Sequence, residues 1–492
     1  MSGSGKPKLS LRQMASVEDG SEHTITLGLY DVILPCRTFR IDHKAAEVGK
    51  VSITSEFLLR LLKSVGKMRE EAVASYFGFD LREMEFVLNE VEAEDLVLRS
   101  DGWLSLTING EGVFHSGSEE PEIYEVELRT GNYGFDLIAM APQQKEHLSI
   151  FETRLPELAI VDTYRVSEST KSVASSFKRF YPELAPRRSS GKSGRRTLYS
   201  IDNVEPKERF SSVVRILVTA NETKPAEGDT DLSEWRPEFE VTDREDIVTA
   251  AAKFTESLRG NRRADDSDAY AQLIRLAPDF FKPFTRNESL VVERFYRNAF
   301  TRVGDVRRNR QTIPILGSLF TPDNARRLID MAGHGLRTLN DTPETIYWLP
   351  PQALCWGSTS TLPELVDHLK EALTNRNEEN GLSVSRPQAI ALCQGKPAQW
   401  TEKAFDHCNQ LDRLQIPAGV EVLLVPGAFA AVLVHAVVGA QSGHAVPLGF
   451  VSCDLQIVNQ VTALLRNVAP AFQLSELLSR DLSVLESSED DE

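Results

Sequence analysis

The apolar positions of the chain change period several times, and each change marks a new element. Leu58, Leu61, Leu62 and Val65 recur at helical spacing and predict a helix with one apolar stripe. Ala72, Val73, Tyr76 and Phe77 predict a short second helix, stopped at Gly78. Asp80, followed three residues later by Glu83, has the form of a capping box. It opens a third helix whose core side is Met84, Val87, Leu88 and Val91. In "LVLRSDGWLSLT" two short runs flank Ser-Asp-Gly, the pattern of two strands joined by a tight turn. Upstream, "HTITLGLYDVILPCRTFRI" reads as one or two strands. Downstream, "IYEVELRTGNYGFDLIAMAP", "ELAIVDTYRV" and "FSSVVRILVTA" read as β-structure, and "NETKPAEGDTDLSEWRPE" as a surface linker.

From Arg244 to about Asp341 the spacing turns helical again, with Thr321-Pro322 as a helix start. From Thr345 onward strand-like and helix-like runs alternate, which predicts an α/β domain. The longest apolar stretch, "VEVLLVPGAFAAVLVHAVVGA", is interrupted by Glu421, Pro426, His435 and glycines, so it reads as buried β-structure and not as a membrane span. The expected class is a multidomain α/β protein. Its divisions are N-terminal strands and a loose segment (1–48), a helix-rich module (49–116), a β-rich middle (121–235), a helical segment (240–340), an α/β domain (341–480) and an acidic tail (481–492).

A length of 492 residues is too much for one ordinary core. The net charge of −17 disfavours bulk attraction to nucleic acid or anionic lipid, although local basic patches survive in such a chain. Five scattered cysteines without a CxxC pair argue against a disulfide framework or a zinc site. The start "MSGSGKPKLSLRQ" lacks the apolar run of a signal peptide. A cytoplasmic protein with no metal, no cofactor and no membrane association is expected.

The three helices, the two strands and the following "LTINGEGVF" resemble a winged helix-turn-helix, over about 65 residues. That resemblance implies a fold and leaves the ligand open. The outward side of the third helix carries Arg82, Phe86, Asn89, Glu90 and Ala93. Between Asp80 and Asp95 stand seven acidic residues and one basic one. Such a helix meets repulsion from both phosphate ribbons of a major groove. Phe86, with Glu85, Asn89 and Glu90 around it, instead suits a protein partner. If DNA is bound by this module, the residues to do it are Lys63, Lys67, Arg69, Arg82, Arg99 and Trp103.

Two basic islands lie elsewhere. "RRSSGKSGRR" contributes Arg187, Arg188, Lys192, Arg195 and Arg196, and "RVGDVRRNR" contributes Arg302, Arg307, Arg308 and Arg310. Either is able to neutralise phosphates without reading sequence, and either is equally a solvated loop. Neither "SSGKSG" nor "GSGKP" completes a P-loop: Pro186 replaces the first glycine of one, and no Ser or Thr follows Lys6 in the other.

"AGVEVLLVPGAFAAVLVHAVVGAQSGHAVPLGFVSCDLQIV" resembles the second strand-turn-strand part of a phospholipase D-like domain, over perhaps 120 residues. The family uses HxK(x)4D, with histidine as nucleophile and lysine holding the phosphate oxyanions. Here His435 matches the histidine, Val437 replaces the lysine and Ser442 the aspartate, so the resemblance implies a degenerate site. The plainer alternative is a buried histidine bonded to a neighbouring strand. His368-Leu369-Lys370 also spells HxK but falls within a helical run, and counts as chance. A third option, an Asp136 and Glu152-Thr153-Arg154 nuclease constellation, would need both groups on adjacent strands around magnesium. By analogy with such combinations the chain is expected to be a non-catalytic adaptor in a bacterial DNA-processing or anti-phage defence complex, binding a catalytic or ATPase subunit. The alternatives are a winged-helix DNA-binding regulator and a nuclease.

Overall fold

The computed structural model describes residues 24–48, 52–114, 121, 124–160, 163–184, 197–237, 244–301, 311–337, 339, 343–379, 386–411 and 416–469. Both basic islands, the acidic tail and most of "HSGSEEPE" lie outside them.

In chain order the first part comprises β1 (Thr24–Val48), α1 (Ile53–Val65), β2 (Lys67–Arg69), α2 (Glu70–Phe77), α3 (Leu81–Ala93), β3 (Val97–Ser100), β4 (Trp103–Leu106) and α4 (Ile108–Gly112). Then come β5 (Tyr124–Asp136), α5 (Thr163–Ser167), α6 (Ser169–Leu184), β6 (Thr197–Asn221) and β7 (Lys224–Asp231). The second part runs through α7 (Glu245–Ser257), β8 (Gly260–Asn261), α8 (Asp266–Leu276), α9 (Pro278–Phe281), β9 (Thr285–Arg286), β10 (Ser289–Leu290) and α10 (Val292–Thr301). It ends with β11 (Thr312–Leu316), α11 (Pro322–Arg337), β12 (Thr345–Leu349), α12 (Thr361–Glu379), β13 (Gln388–Cys393), α13 (Thr401–Ala404), β14 (His407–Gln410), β15 (Val420–Val425), β16 (Phe429–Val437), β17 (Ser442–Gly443), β18 (Ala445–Ser452) and α14 (Leu455–Val468).

These elements form two compact units. One holds 37–135 and 167–208; the other holds 1–36, 136–166 and 209–492. Strands β1, β5 and β6 belong, with β7, to a sheet of order β5-β1-β6-β7.

Within the smaller unit, α1, α2 and α3 close on a core of Leu58, Leu62, Val73, Met84, Val87, Leu88, Val91 and Leu104. A three-stranded sheet of order β2-β4-β3 completes it. Both halves of the capping box at Asp80 and Glu83 are made. The turn between β3 and β4 is the two-residue Asp101-Gly102 loop, both residues at positive φ (52° and 72°). That is the hairpin turn whose twist matches the flanking strands, and it is why Asp-Gly stands there.

The larger unit is organised by a seven-stranded sheet of order β11-β18-β16-β15-β12-β13-β14. β12, β13 and β14 run parallel; β15, β16, β18 and β11 join antiparallel. The apolar stretch around Pro426 forms the hairpin of β15 and β16, whose strand residues are all buried. A strand buried on both faces needs apolar side chains at every position, which explains its lack of alternation. Helices α8, α9, α10 and α14 pack with Val420, Val422, Val432 and Val434 on one face. Helices α11 and α12 pack with Ile315, Trp348, Leu423 and Leu433 on the other. Close packing of α11 depends on Gly335, where a Cβ would stand 2.2 Å from the Ala428 carbonyl oxygen. No described helix is long and apolar enough to cross a membrane.

Three stretches differ from the pattern-based expectation. "ELAIVDTYRV" yields one parallel bridge, Ile33 to Glu157, before Thr163–Ser167 turns helical. Pro156, which has no N–H, stands at the edge of that bridge and its carbonyl accepts from Ile33. The linker text around Lys224–Asp231 is the strand β7, paired antiparallel with β6. Its stability comes from the backbone ladder and from buried Ala226 and Thr230, which leave almost no apolar signature. Thr321 does precede α11, but its hydroxyl donates to the Ser318 carbonyl oxygen, at 3.1 Å.

Candidate functional site

In the smaller unit, α3 is fixed by its capping box and by burial of Met84, Val87, Leu88 and Val91. That orientation forces the residues between them outward. Phe86 is 71% exposed and Leu81, at the first helical position, 91%. Arg82, Glu85 and Asn89 are exposed beside them. Apolar side chains of this size gain nothing from water, so the exposed Phe86 at the middle of the helix is the most informative feature of this face.

Two of the residues expected on this face are already committed. Glu90 accepts from the Ser52 amide (2.8 Å) and from the hydroxyls of Ser52 and Ser55 (2.6 Å each). It ties α3 to the N-terminus of α1 and is unavailable as a contact residue. Burial opposes its ionisation, yet the hydrogen bonds from Ser52 and Ser55 hold its carboxyl below the usual range. Arg99 makes a forked pair with Glu70, at 2.8 and 2.6 Å, and a longer one with Glu85 at 3.3 Å. Glu70 first, and then Glu85, raise its guanidinium above the ordinary value. With its charge offset by two carboxylates, Arg99 is a poor phosphate ligand.

The other expected cations are placed differently. Lys67 and Arg69 lie over the Trp103 ring, at 5.4 and 5.3 Å, because Arg69 pairs with Trp103 across β2 and β4. Lys63 lies 5.4 Å from the Phe114 ring. Lys63, Lys67, Arg69 and Arg82 are exposed, and no ion pair with a described residue engages them. Arg187, Arg188, Lys192, Arg195, Arg196, Arg307, Arg308 and Arg310 lie outside the described residues.

The larger unit contains the second site. His435 lies on β16, and its Nε2 is 2.6 Å from Oε2 of Glu421 on β15. The pair is diagonal across the hairpin, since Glu421 sits opposite Leu433. Oε1 of Glu421 accepts from the indole N–H groups of Trp348 (3.0 Å) and Trp356 (3.1 Å). Indoles only donate, so three donors converge on a fully buried carboxylate. His435 meets this carboxylate through Nε2, and no described residue bonds to its Nδ1.

Val437, two residues on, is buried and offers no cation; Ser442 is exposed on β17, which pairs with β8. His368 is exposed on α12, its Nδ1 2.7 Å from the Glu364 carbonyl oxygen. The other histidine of this region, His444, is fully used: Nδ1 accepts from the Gly228 amide (3.0 Å), and Nε2 meets the Thr255 carbonyl (2.9 Å). Periodicity and motif spacing single out His435 and miss Trp348 and Trp356. The available signal was Glu421 itself, because a carboxylate inside "GVEVLLV" must find donors.

The nuclease constellation does not form. Glu152–Arg154 is a turn of 3-10 helix and not a strand, with Glu152 capping the Ser149 amide at 2.7 Å. Both oxygens of Asp136 accept backbone N–H groups, from Ile138, Ala139 and Ala141. Its buried carboxyl is pushed up by desolvation, against those bonds. These residues shape a loop. Among the described residues no cluster of three or more His, Cys, Asp or Glu side chains is arranged to hold a metal ion. No protein-family model matches the chain, and no curated protein matches it.

Proposed function

We propose that the chain is a non-catalytic adaptor of a bacterial DNA-processing or anti-phage defence complex. On this proposal the Ile53–Gly112 module is a winged helix turned toward protein, and its partner is a catalytic or ATPase subunit. One observation carries it: the outward face of α3 exposes Phe86 beside carboxylates, while Arg99 is spent on Glu70 and Glu85. Aromatic anchors ringed by polar groups are what protein interfaces use, and a run at −6 is what a phosphate ribbon rejects. The C-terminal domain, on the same proposal, is a degenerate phospholipase D-like domain. Val437 in the lysine position supports the loss of chemistry, since a buried valine offers a phosphate oxyanion no charge.

A second option, duplex binding, is favoured by the exposed cations Lys63, Lys67, Arg69 and Arg82. The two options separate in one experiment. Tagged chain is recovered from the native organism with and without nuclease treatment, beside Phe86→Asp. An adaptor retains a stoichiometric protein partner after nuclease and loses it with Phe86→Asp. A DNA-binding regulator loses its companions to nuclease before any substitution is made.

A further inference from the structure

We infer that Cys393 and Cys408 form a reversible thiol–disulfide site in the larger unit, and that its oxidant is a peroxide. The two residues lie on the parallel strands β13 and β14, which pair Ala391 with Cys408 and Cys393 with Gln410. Residues paired in register share a sheet face, and so do side chains two apart on one strand. Cys393 and Cys408 therefore stand on one face, a diagonal step apart. Both pack with the core that holds Trp348 and Leu423. Their thiols meet directly, in a hydrogen bond between the two sulfurs. The chain passes through α13 between them, so no CxxC spacing marks the pair.

The two sulfurs are unequal, as a peroxide-reactive pair requires. Cys393 is buried, whereas Cys408 is half-buried on the edge strand of the sheet. The hydrogen bond from Cys393 lowers the Cys408 thiol below its ordinary value, against burial and the charge of Glu402. The same bond holds the Cys393 thiol up, and burial adds to it. Burial pushes the thiols of Cys36, Cys355 and Cys453 up as well, so Cys408 stands alone in its direction. The thiolate is the nucleophile, and an accessible one beside a second cysteine is the arrangement of a redox-sensing site. Cys408 is thus the attacking sulfur and Cys393 the resolving one.

With hydrogen peroxide as oxidant the step balances. The Cys408 thiolate attacks one peroxide oxygen: an S–O bond forms, the O–O bond breaks, and hydroxide leaves to take up a proton as water. The Cys393 sulfur then attacks the Cys408 sulfenic acid. The S–S bond forms, the S–O bond breaks, and the departing hydroxide takes the Cys393 proton as a second water. Two thiols are oxidised and one peroxide is reduced. The negative Glu402 beside the pair favours an uncharged oxidant over an anionic disulfide such as oxidised glutathione. Diagonal neighbours in a sheet lie about 7–8 Å apart at Cα and a disulfide takes about 4.4–6.8 Å, so β14 must move inward by about an ångström. An edge strand with β13 as its one sheet neighbour is able to do so, and a bond closed by that shift is readily reduced. The inference stands independently of the adaptor proposal.

The test treats the full, reduced chain with about a tenfold excess of hydrogen peroxide, labels the remaining thiols with N-ethylmaleimide in denaturant, and counts the labels by mass spectrometry. Of the five thiols, those of Cys393 and Cys408 are expected to be lost, joined in one cross-linked peptide pair, and to return with dithiothreitol. Cys36, Cys355 and Cys453 should keep their labels. Cys393→Ser should leave a sulfenic acid at Cys408 that dimedone traps, and Cys408→Ser should leave Cys393 reduced. Oxidised glutathione at the same concentration should react more slowly than peroxide. Should either variant fail to fold, the peptide pair in the wild-type chain decides. Retention of all five labels, a disulfide joining any other pair, a loss that dithiothreitol does not restore, or faster reaction with oxidised glutathione overturns the inference.

Discussion

Glu85 on α3 and Glu421 on β15 are the same side chain put to opposite uses. Glu421 is wholly buried, and three donors consume its oxygens. Glu85 lies in water beside Phe86, with one long ion pair to Arg99. The difference separates groups that hold a fold from groups left over after folding. A polar atom already satisfied inside the protein has little to offer a partner. An exposed aromatic ring, or a buried atom with no partner, still has free energy to gain from one.

The sharpest way to break this contrast is at Glu421. Glu421→Ala strands two indoles and a histidine in the core. It should destabilise the larger unit by about 3–5 kcal/mol, as loss of one member of a buried pair does. The urea midpoint, followed by tryptophan fluorescence, checks this, because Trp348 and Trp356 report on the site directly. A cost below about 1 kcal/mol would mean that the three bonds are not formed.

At Phe86 the expected signs reverse. Phe86→Ala should leave stability within about 0.5 kcal/mol of wild type, as surface substitutions do. It should weaken partner affinity by about 30-fold, the effect of losing an interface anchor of about 2 kcal/mol. A smaller effect is expected at the capping box. Asp80→Ala removes the acceptor for the Arg82 and Glu83 amides and should cost about 1 kcal/mol, seen as a lower melting temperature of the smaller unit.

Acid sharpens the comparison through Glu90. Its carboxyl is held below the usual range in the folded chain, so the stability it contributes is present above the unfolded value of about 4.3. That contribution is lost as the pH falls through the lower folded value. Acid titration of the smaller unit's melting temperature should therefore be less steep below about pH 4 in Glu90→Gln than in wild type. The smallest effect is expected at Arg99. Arg99→Ala breaks an exposed pair with Glu70 and should cost no more than about 1 kcal/mol.

The elements that sequence pattern reveals are those whose burial is periodic. Leu58, Leu62, Met84, Val87, Leu88 and Val91 are spaced as one helix face each, and they are the core of the smaller unit. The Val420–Val437 stretch is apolar but for Glu421 and His435, and it is the centre of the large sheet. β7 stayed hidden because Lys224–Asp231 is held by backbone bonds to β6, which any side chain permits. α6 carries the same helical signature, since Val173, Phe177, Phe180 and Tyr181 are spaced as one helix face with serines and basic residues as its polar side. It is legible, although the pattern-based division places it within a β-rich middle.

Sites were legible only in part, and for a related reason. His435 stands out as a lone histidine in an apolar strand. Its setting depends on Trp348 and Trp356, which lie 87 and 79 residues upstream and share no spacing rule with it. Glu90 and Arg99 look like surface groups in the sequence because nothing in it shows that Ser52, Ser55 and Glu70 fold against them.

The proposal that the third helix faces protein is tested most directly by placing a photoreactive benzoylphenylalanine at position 86 and irradiating cells of the native organism. The expected product is a single cross-linked protein band that survives nuclease digestion. Cross-links to nucleic acid in place of protein, released by nuclease, would contradict it.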